Sequence, residues 1–293
     1  MKSGFITIIG RPNVGKSTLL NKLLGQKIVI ATDKPQTTRR RIKGILTNEL
    51  GQAVFIDTPG IHRPLDKLGE FLVEESRLAI PDADLILFLV DGSEEAGLGD
   101  KWIVENLLET KIPIIIVLNK VDKVKDLQKR EEILFSYKTL FKENYPTVKI
   151  SALTGRNIDT LTKTIFKKLP EGDLIYAEDE VTDESVRSIV QEIIREKILI
   201  NTKDEVPHSV AVQIDKYEEK PEIDRIFVNI YVEHDSQKGI LIGKNGSMLK
   251  RIGKFSRIDM EKNFGTKVNL KTWVKVKEDW QNQDSIVNRF KQK

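Results

Sequence analysis

The chain has 293 residues, 39% hydrophobic and 31% charged, which is long enough for two separate cores and too apolar for a disordered chain. It has 0 Cys, which excludes disulfides and thiolate metal sites, and its His62, His208 and His234 lie too far apart for ligand spacing. The formal net charge of +4 is compatible with an anionic partner, but its distribution along the chain decides more than its sum.

The N-terminus offers one Lys and a short apolar run, too short for a signal peptide. The longest apolar runs, Leu85 to Val90 and Ile112 to Leu118, cannot span a bilayer. A cytoplasmic location is therefore expected.

Phe5-Ile6-Thr7-Ile8-Ile9 reads as a buried strand. It runs into Gly10-Arg11-Pro12-Asn13-Val14-Gly15-Lys16-Ser17, a match to the phosphate-loop pattern G-x-x-x-x-G-K-[ST]. From Ser17 and Thr18 onward, Leu19, Leu20, Leu23 and Leu24 recur at helical spacing. Glycines let the backbone approach phosphate oxygens, and the amides of the loop and helix N-terminus aim partial positive charge at them. Lys16 would reach the β- and γ-phosphates, and the Ser17 hydroxyl would ligate Mg²⁺. Strand before and helix after make a Gly-rich turn of no special use an unattractive reading.

The polar, basic stretch Ala31 to Arg41 has no hydrophobic period and reads as a loop. Behind a phosphate loop it is expected to be a switch loop, with Thr37 or Thr38 completing the Mg²⁺ shell. Ala53-Val54-Phe55-Ile56 is a strand leading into Asp57-Thr58-Pro59-Gly60. Asp57 would hold the Mg²⁺ through water, and the Gly60 amide would bind the γ-phosphate. Ile61 follows, where related GTPases carry a Gln that orients the attacking water; Ile can neither donate nor accept a hydrogen bond.

Leu85 to Val90 and Ile112 to Leu118 are continuous apolar strands, as in a parallel sheet buried on both faces. The second ends in Asn119-Lys120-Val121-Asp122. The Asp122 carboxylate can accept from both guanine donors, N1–H and the 2-amino group, a pair that adenine lacks. Asn119 would brace the loops and the Lys120 stem would cover the base. The backbone amides of Ser151-Ala152-Leu153 would meet guanine O6, and a helix follows with Ile158, Leu161, Ile165 and Leu169 on one face. Strands alternating with helices predict an α/β, doubly wound GTP-binding domain over 1–170, with GTP or GDP and Mg²⁺ at the strand C-termini.

Seven acidic residues and no Lys or Arg lie between Glu171 and Glu184, which reads as an acidic linker over 171–183. An amphipathic helix from about Glu184 to Ile200 opens a smaller α+β domain over 184–293. Val210, Val212 and Ile214 alternate with polar residues, Ile226 to Val232 is a second strand, and Val268 to Val276 is a third. The other face of that third strand carries Lys267, Asn269, Lys271, Trp273, Lys275 and Lys277. Between the last two strands, Ile242-Gly243-Lys244-Asn245-Gly246 joins two helices, the second bearing Lys250, Arg251 and Lys254. A G-x-x-G turn between helices is the backbone clamp of KH domains, and helix–strand–strand–helix–helix–strand is their type II order. The alternative, a solvated helix after a Gly turn, explains neither the flanking apolar residues nor the local excess of bases.

Taken together, the motifs from Gly10 to Ser17, Gln36 to Arg39, Asp57 to Gly60, Asn119 to Asp122, Ser151 to Leu153 and Gly243 to Gly246 resemble those of the Era family of bacterial GTPases over nearly the whole chain. The resemblance implies a GTPase with a C-terminal type II KH domain and a further C-terminal helix. It implies binding to small-subunit ribosomal RNA near its 3′ end, assistance to 30S assembly, a monomeric state, and partial association with the inner membrane face. It favours Thr38 over Thr37 as the Mg²⁺ ligand and gives Lys16, Thr38 and Gly60 the catalytic positions. It matches the hydrophobic Ile61, and it makes Asn13 a ligand for an activating K⁺. Rival readings are a nucleotide-gated RNA-binding switch with incidental hydrolysis, or another ribosome- or tRNA-directed GTPase.

Overall fold

The structure, a computed structural model, describes residues 1–31, 42–57, 82–141, 144–202 and 210–277. The expected switch loop with Thr37 and Thr38 lies outside these residues, as do Thr58, Pro59, Gly60, Ile61 and the expected C-terminal helix. The chain divides into two compact units, Met1–Asp183 and a second beginning at Glu184.

In the first unit the described elements run β1 (Lys2–Ile9), α1 (Lys16–Leu24), β2 (Ile42–Asn48), β3 (Gly51–Asp57), β4 (Leu85–Asp91), α2 (Leu98–Leu107), β5 (Ile114–Asn119), α3 (Leu127–Lys138), β6 (Thr147–Lys149) and α4 (Ile158–Lys168). The six strands form one sheet in the order β2-β3-β1-β4-β5-β6. All neighbours are parallel except β2 and β3, which pair antiparallel. β4 shows why: every residue of Leu85–Asp91 is buried. Leu85, Leu87 and Leu89 pack on one face with Leu19, Leu20 and Leu23 of α1 and Leu161 and Ile165 of α4. Ile86, Phe88 and Val90 pack on the other with Ile103, Val104 and Leu107 of α2 and Ile133 and Tyr137 of α3. Two apolar faces demand helices on both sides, and parallel strands supply them through their crossovers. The ends of β1, β3, β4 and β5 then gather the motif loops along one edge of the sheet.

The acidic segment from Glu171 to Asp183 is hydrogen-bonded onto this first unit. Gln52 accepts from the amides of Ile175 and Tyr176 at 2.7 and 2.8 Å and donates to the Tyr176 carbonyl at 3.0 Å. The Ile45 amide donates to the Val181 carbonyl at 2.8 Å, and the Thr182 hydroxyl donates to the Lys43 carbonyl at 2.7 Å. Lys43 also lies 3.2 Å from the Asp183 carboxylate. The acidic run therefore lines the β2–β3 edge, and the first unit extends to Asp183.

The second unit runs α5 (Val186–Asn201), β7 (Ala211–Glu218), β8 (Ile223–Val232), α6 (Asp235–Ile242), α7 (Ser247–Phe264) and β9 (Lys267–Val276). Its sheet is ordered β7-β8-β9, with β7 antiparallel and β9 parallel to β8. One face is apolar: Ile226, Val228, Ile230, Val268 and Val274 bury against Ile193 and Ile194 of α5, Leu241 of α6 and Ile252 and Met260 of α7. Lys197 of α5, nearly buried, bridges Glu196 at 2.9 Å and Asp259 of α7 at 2.5 Å. Burial works against its charge, but the two carboxylates win and raise its pKa.

Candidate nucleotide and RNA sites

The phosphate loop leaves β1 at Ile9 and enters α1 at Lys16. Gly15 sits at φ 101°, where a side chain is strained, and a Cβ there would stand 2.4 Å from Asn119 Nδ2. Lys16 is buried, and its ammonium donates to the Gly10 and Arg11 carbonyls, each at 3.0 Å. Those carbonyls hold the charge where phosphate oxygens would otherwise receive it. Burial pushes its pKa down to about 8, partly offset by the Asp57 carboxylate.

The second residue of α1 brings the metal chemistry. The Ser17 hydroxyl donates to Asp57 Oδ2 at 3.1 Å, and Asp57, at the end of β3, is fully buried. A hydroxyl and a carboxylate side by side are hard oxygen donors, which fit Mg²⁺ and not a soft metal. Among the described residues no cluster of His, Cys, Asp and Glu offers an alternative metal site.

The base end is built from β5 and the turn after β6. Asn119 is buried and donates from Nδ2 to the Val14 carbonyl at 2.8 Å, while its Oδ1 accepts from the Ala152 amide at 2.9 Å. One side chain thus joins the phosphate loop to the Ser151–Leu153 turn. Ser151 is buried and caps that turn by accepting from the Thr154 amide, whereas Leu153 is 77% exposed. Lys120 has φ 61° and its ammonium reaches both the Asn13 carbonyl and Asp91 Oδ2 at 2.6 Å. Asp122 is exposed.

Three contributors outside the motifs, Asp91, Asp100 and Arg130, were not read from the sequence. Asp91, at the end of β4, anchors Lys120; burial would raise its pKa, but the bonds from Lys120 and Ser93 prevail and lower it. Arg11 donates from Nε to Asp100 Oδ1 at 2.9 Å and from Nη2 to Glu94. Asp100 is fully buried and also accepts from the Gly97 amide at 2.9 Å, capping α2. Burial of the Arg11 guanidinium lowers its pKa, but the carboxylates outweigh this and hold it charged. Arg130 of α3 donates to the Val124 carbonyl at 2.5 Å and the Val121 carbonyl at 3.2 Å, pinning the loop that carries Asp122.

In the second unit, α6 stops at Gly243, whose φ is 70°. Lys244–Gly246 makes one 3₁₀ turn with Asn245 at φ 55° and Gly246 at φ 74°, and α7 starts at Ser247. A Cβ on Gly243 would sit 2.7 Å from Met248 Cβ, so the turn closes only with Gly there. Lys244, Asn245, Lys250, Arg251 and Lys254 are exposed, whereas Ile242 packs against the core. The turn offers a backbone approach and the N-terminus of an 18-residue helix, flanked by cations, which suits a nucleic-acid phosphate backbone.

Comparison with known proteins matches both halves. A family model described as 50S ribosome-binding GTPase covers residues 5–120, and a KH domain model covers residues 205–281. GTPase Era of Clostridioides difficile (strain 630) is 48% identical over 293 residues, spanning 99% of this chain and 98% of that protein. A variant of Aquifex aeolicus Era bound to GDP and AlF4⁻ is similar at TM-score 0.92 and 40% identity, covering 99% of both chains. Era in complex with MgGDPNP and nucleotides 1506–1542 of 16S ribosomal RNA is similar at TM-score 0.92 and 40% identity, covering 99% of this chain and 98% of that one. With a P-loop GTPase domain, a KH domain and this identity along its length, the chain belongs to the Era family of GTPases.

Proposed function

We propose that this GTPase uses its nucleotide cycle to control its hold on small-subunit ribosomal RNA near the 3′ end, and thereby assists 30S assembly. The observation that carries the proposal is one chain holding the phosphate-loop, Asp57 and Asn119–Asp122 constellation of a guanine-nucleotide site together with a G-x-x-G clamp. The relative with the same two parts is seen with MgGDPNP and nucleotides 1506–1542 of 16S ribosomal RNA.

Lys16 is the group for the β- and γ-phosphates: a buried ammonium held by two carbonyls exchanges them for phosphate oxygens. Ser17 and Asp57 would hold the Mg²⁺, with Thr38 joining them. When bound, that ion neutralises charge on the β- and γ-oxygens. Asp122 accepts from guanine N1–H and the 2-amino group, and the Ser151–Leu153 amides face O6. Water attacks the γ-phosphorus, the bond to the β–γ bridging oxygen breaks with its electron pair going to GDP, and the γ-phosphoryl with the water's oxygen becomes inorganic phosphate, the water's proton passing to a phosphate oxygen or to solvent. Ile61 cannot orient that water, so hydrolysis here is independent of a Gln at this position. We assign the stabilising charge to Lys16, the Gly60 amide and a K⁺ ligated by Asn13. Asn13 lies in the left-handed region at φ 64° with its carbonyl tied to Lys120, which is compatible with that role. A monomer in the cytoplasm, in contact with the inner membrane face, completes the proposal on the family resemblance alone. Among the described residues no helix is long and apolar enough to cross a membrane.

Phosphate release measured with and without an RNA of nucleotides 1506–1542 tests the proposal. Turnover raised by the RNA supports a coupled cycle. Turnover unmoved by a bound RNA assigns hydrolysis an incidental part.

A further inference from the structure

We propose that the outward face of the β7-β8-β9 sheet is a second RNA-binding surface, a stacking platform for single-stranded bases on the side away from the clamp. The inference rests on the RNA-binding reading above. Residues alternate across the sheet, so the face opposite the helices carries Arg225, Phe227 and Tyr231 of β8 and Lys267, Lys271, Trp273 and Lys275 of β9.

Four features distinguish this face from an ordinary solvated one. Trp273 is 43% exposed, large for an indole on a strand. Its ring lies parallel to that of Phe227, at 8° and 6.2 Å between centroids, which leaves π surface for a further ring. The Lys271 ammonium sits 5.7 Å from the Phe227 centroid, and Lys271 and Lys275 flank Trp273 two residues to each side. That spacing puts a cation about 6.6 Å along the strand on both sides of the indole. Glu218, the acid that the register places on this face, is already paired with Lys216. Aromatic stacking flanked by backbone-reading cations is the pattern of single-strand recognition.

The clamp turn joins α6 and α7, both of which pack against the opposite face of the same sheet. Both helices touch β9, which is an edge strand. An RNA strand leaving the clamp therefore reaches the platform by rounding β9, and the two surfaces read successive stretches of one RNA.

The test uses the full chain and an RNA of nucleotides 1506–1542. With Trp102→Phe and Trp280→Phe, Trp273 is the sole tryptophan, and its fluorescence should be quenched as the RNA binds. Trp273→Ala should weaken RNA binding roughly 5- to 150-fold, from about 1–3 kcal/mol per stacked base, while Trp273→Phe retains most of it. Lys271→Gln with Lys275→Gln, a surface change that leaves the core alone, should lower the salt slope of binding by about 1.4. RNA-free GTP turnover should be unchanged in all of them. If wild type binds the RNA and Lys244→Asp with Asn245→Asp abolishes it, the clamp stands. Wild-type affinity in the Trp273 and lysine variants then overturns the platform alone. Unchanged RNA affinity with weaker binding to whole 30S subunits would assign the face to a protein and also overturn it. If wild type fails to bind the RNA, both readings fall together.

Discussion

Nucleotide binding should draw a proton from solvent near pH 8, and Lys16 is the reason. Lys16 is only 6% exposed, and burial brings its pKa to about 8 from the usual 10.5. At that value about nine-tenths of the nucleotide-free protein carries the charge at pH 7, half at pH 8 and a tenth at pH 9. Phosphates placed against the ammonium favour the charged form and raise the pKa well above this range. Binding of GDP should therefore take up about 0.5 proton at pH 8 and about 0.1 at pH 7. Above pH 8 the affinity should fall toward tenfold per pH unit from this group. The folding linkage has the opposite sense. Because the folded pKa lies below the unfolded one, the unfolded state binds more protons between about pH 8 and 10.5, and stability from this group rises across that window. Below pH 8 the full penalty, on the order of 3 kcal/mol, is present in the free protein. Calorimetric titration with GDP at pH 8, in two buffers of different ionisation enthalpy, measures the uptake directly. Heats independent of the buffer would refute the reasoning, since they would mean that Lys16 is fully charged before the phosphates arrive.

Further outcomes are expected. Asp122→Asn should weaken GTP binding and favour xanthine nucleotides, because the amide sets a donor against guanine's donors; competitive titration with XTP checks this. Ile61→Ala should change basal turnover modestly, whereas replacing K⁺ by Na⁺ should slow it if Asn13 ligates the ion; both are read in one phosphate-release assay. Arg11→Ala leaves the buried Asp100 carboxylate without its cation; with Arg11 part exposed the loss should be about 2 kcal/mol, between surface and buried pairs. That lowers the first unit's Tm by roughly 4–8 °C, and Arg11→Ala with Asp100→Ala should recover part of it. If GTP raises RNA affinity, RNA must raise GTP affinity by the same factor, typically ~5–150-fold; equal RNA affinity with GDP and a non-hydrolysable GTP analogue would rule the switch out.

What could be read from the sequence was local. Gly10 to Ser17 and Gly243 to Gly246 are contiguous, and their chemistry follows from residue type and spacing alone. β4 and β5 announced themselves because strands covered on both faces need unbroken apolar runs. β2 did not: Ile42–Asn48 is an antiparallel edge strand interrupted by Lys43 and Gly44, and only its register with β3 defines it. The acidic run from Glu171 reads as a linker by composition, yet Gln52 and Lys43 fasten it from more than 120 residues away. Arg11 with Asp100, 89 residues apart, and Lys120 with Asp91, 29 apart, are likewise pairings that the fold creates. Propensity and motif cannot announce such contacts, since neither partner is unusual in its own neighbourhood.

Those non-local contacts tie the phosphate loop and the base end of the candidate site into one frame. The Asn119–Asp122 segment touches the phosphate loop twice, Asn119 at the Val14 carbonyl and Lys120 at the Asn13 carbonyl. Asn119 holds the Ser151–Leu153 turn through Ala152, and Arg130 holds the far side of the Asn119–Asp122 segment at Val121 and Val124. These bonds are made within the protein, so the Asn119–Asp122 and Ser151–Leu153 segments need no ligand contact to hold them together, and more of the contact energy there would appear as affinity. The same frame forces the two ends to act together. A shift of Asn119 by even part of an ångström moves the Val14 carbonyl and the Ala152 amide at once. Gly15 is therefore constrained by the base end as well as by its own φ: a side chain there would strike the Asn119 amide and displace both.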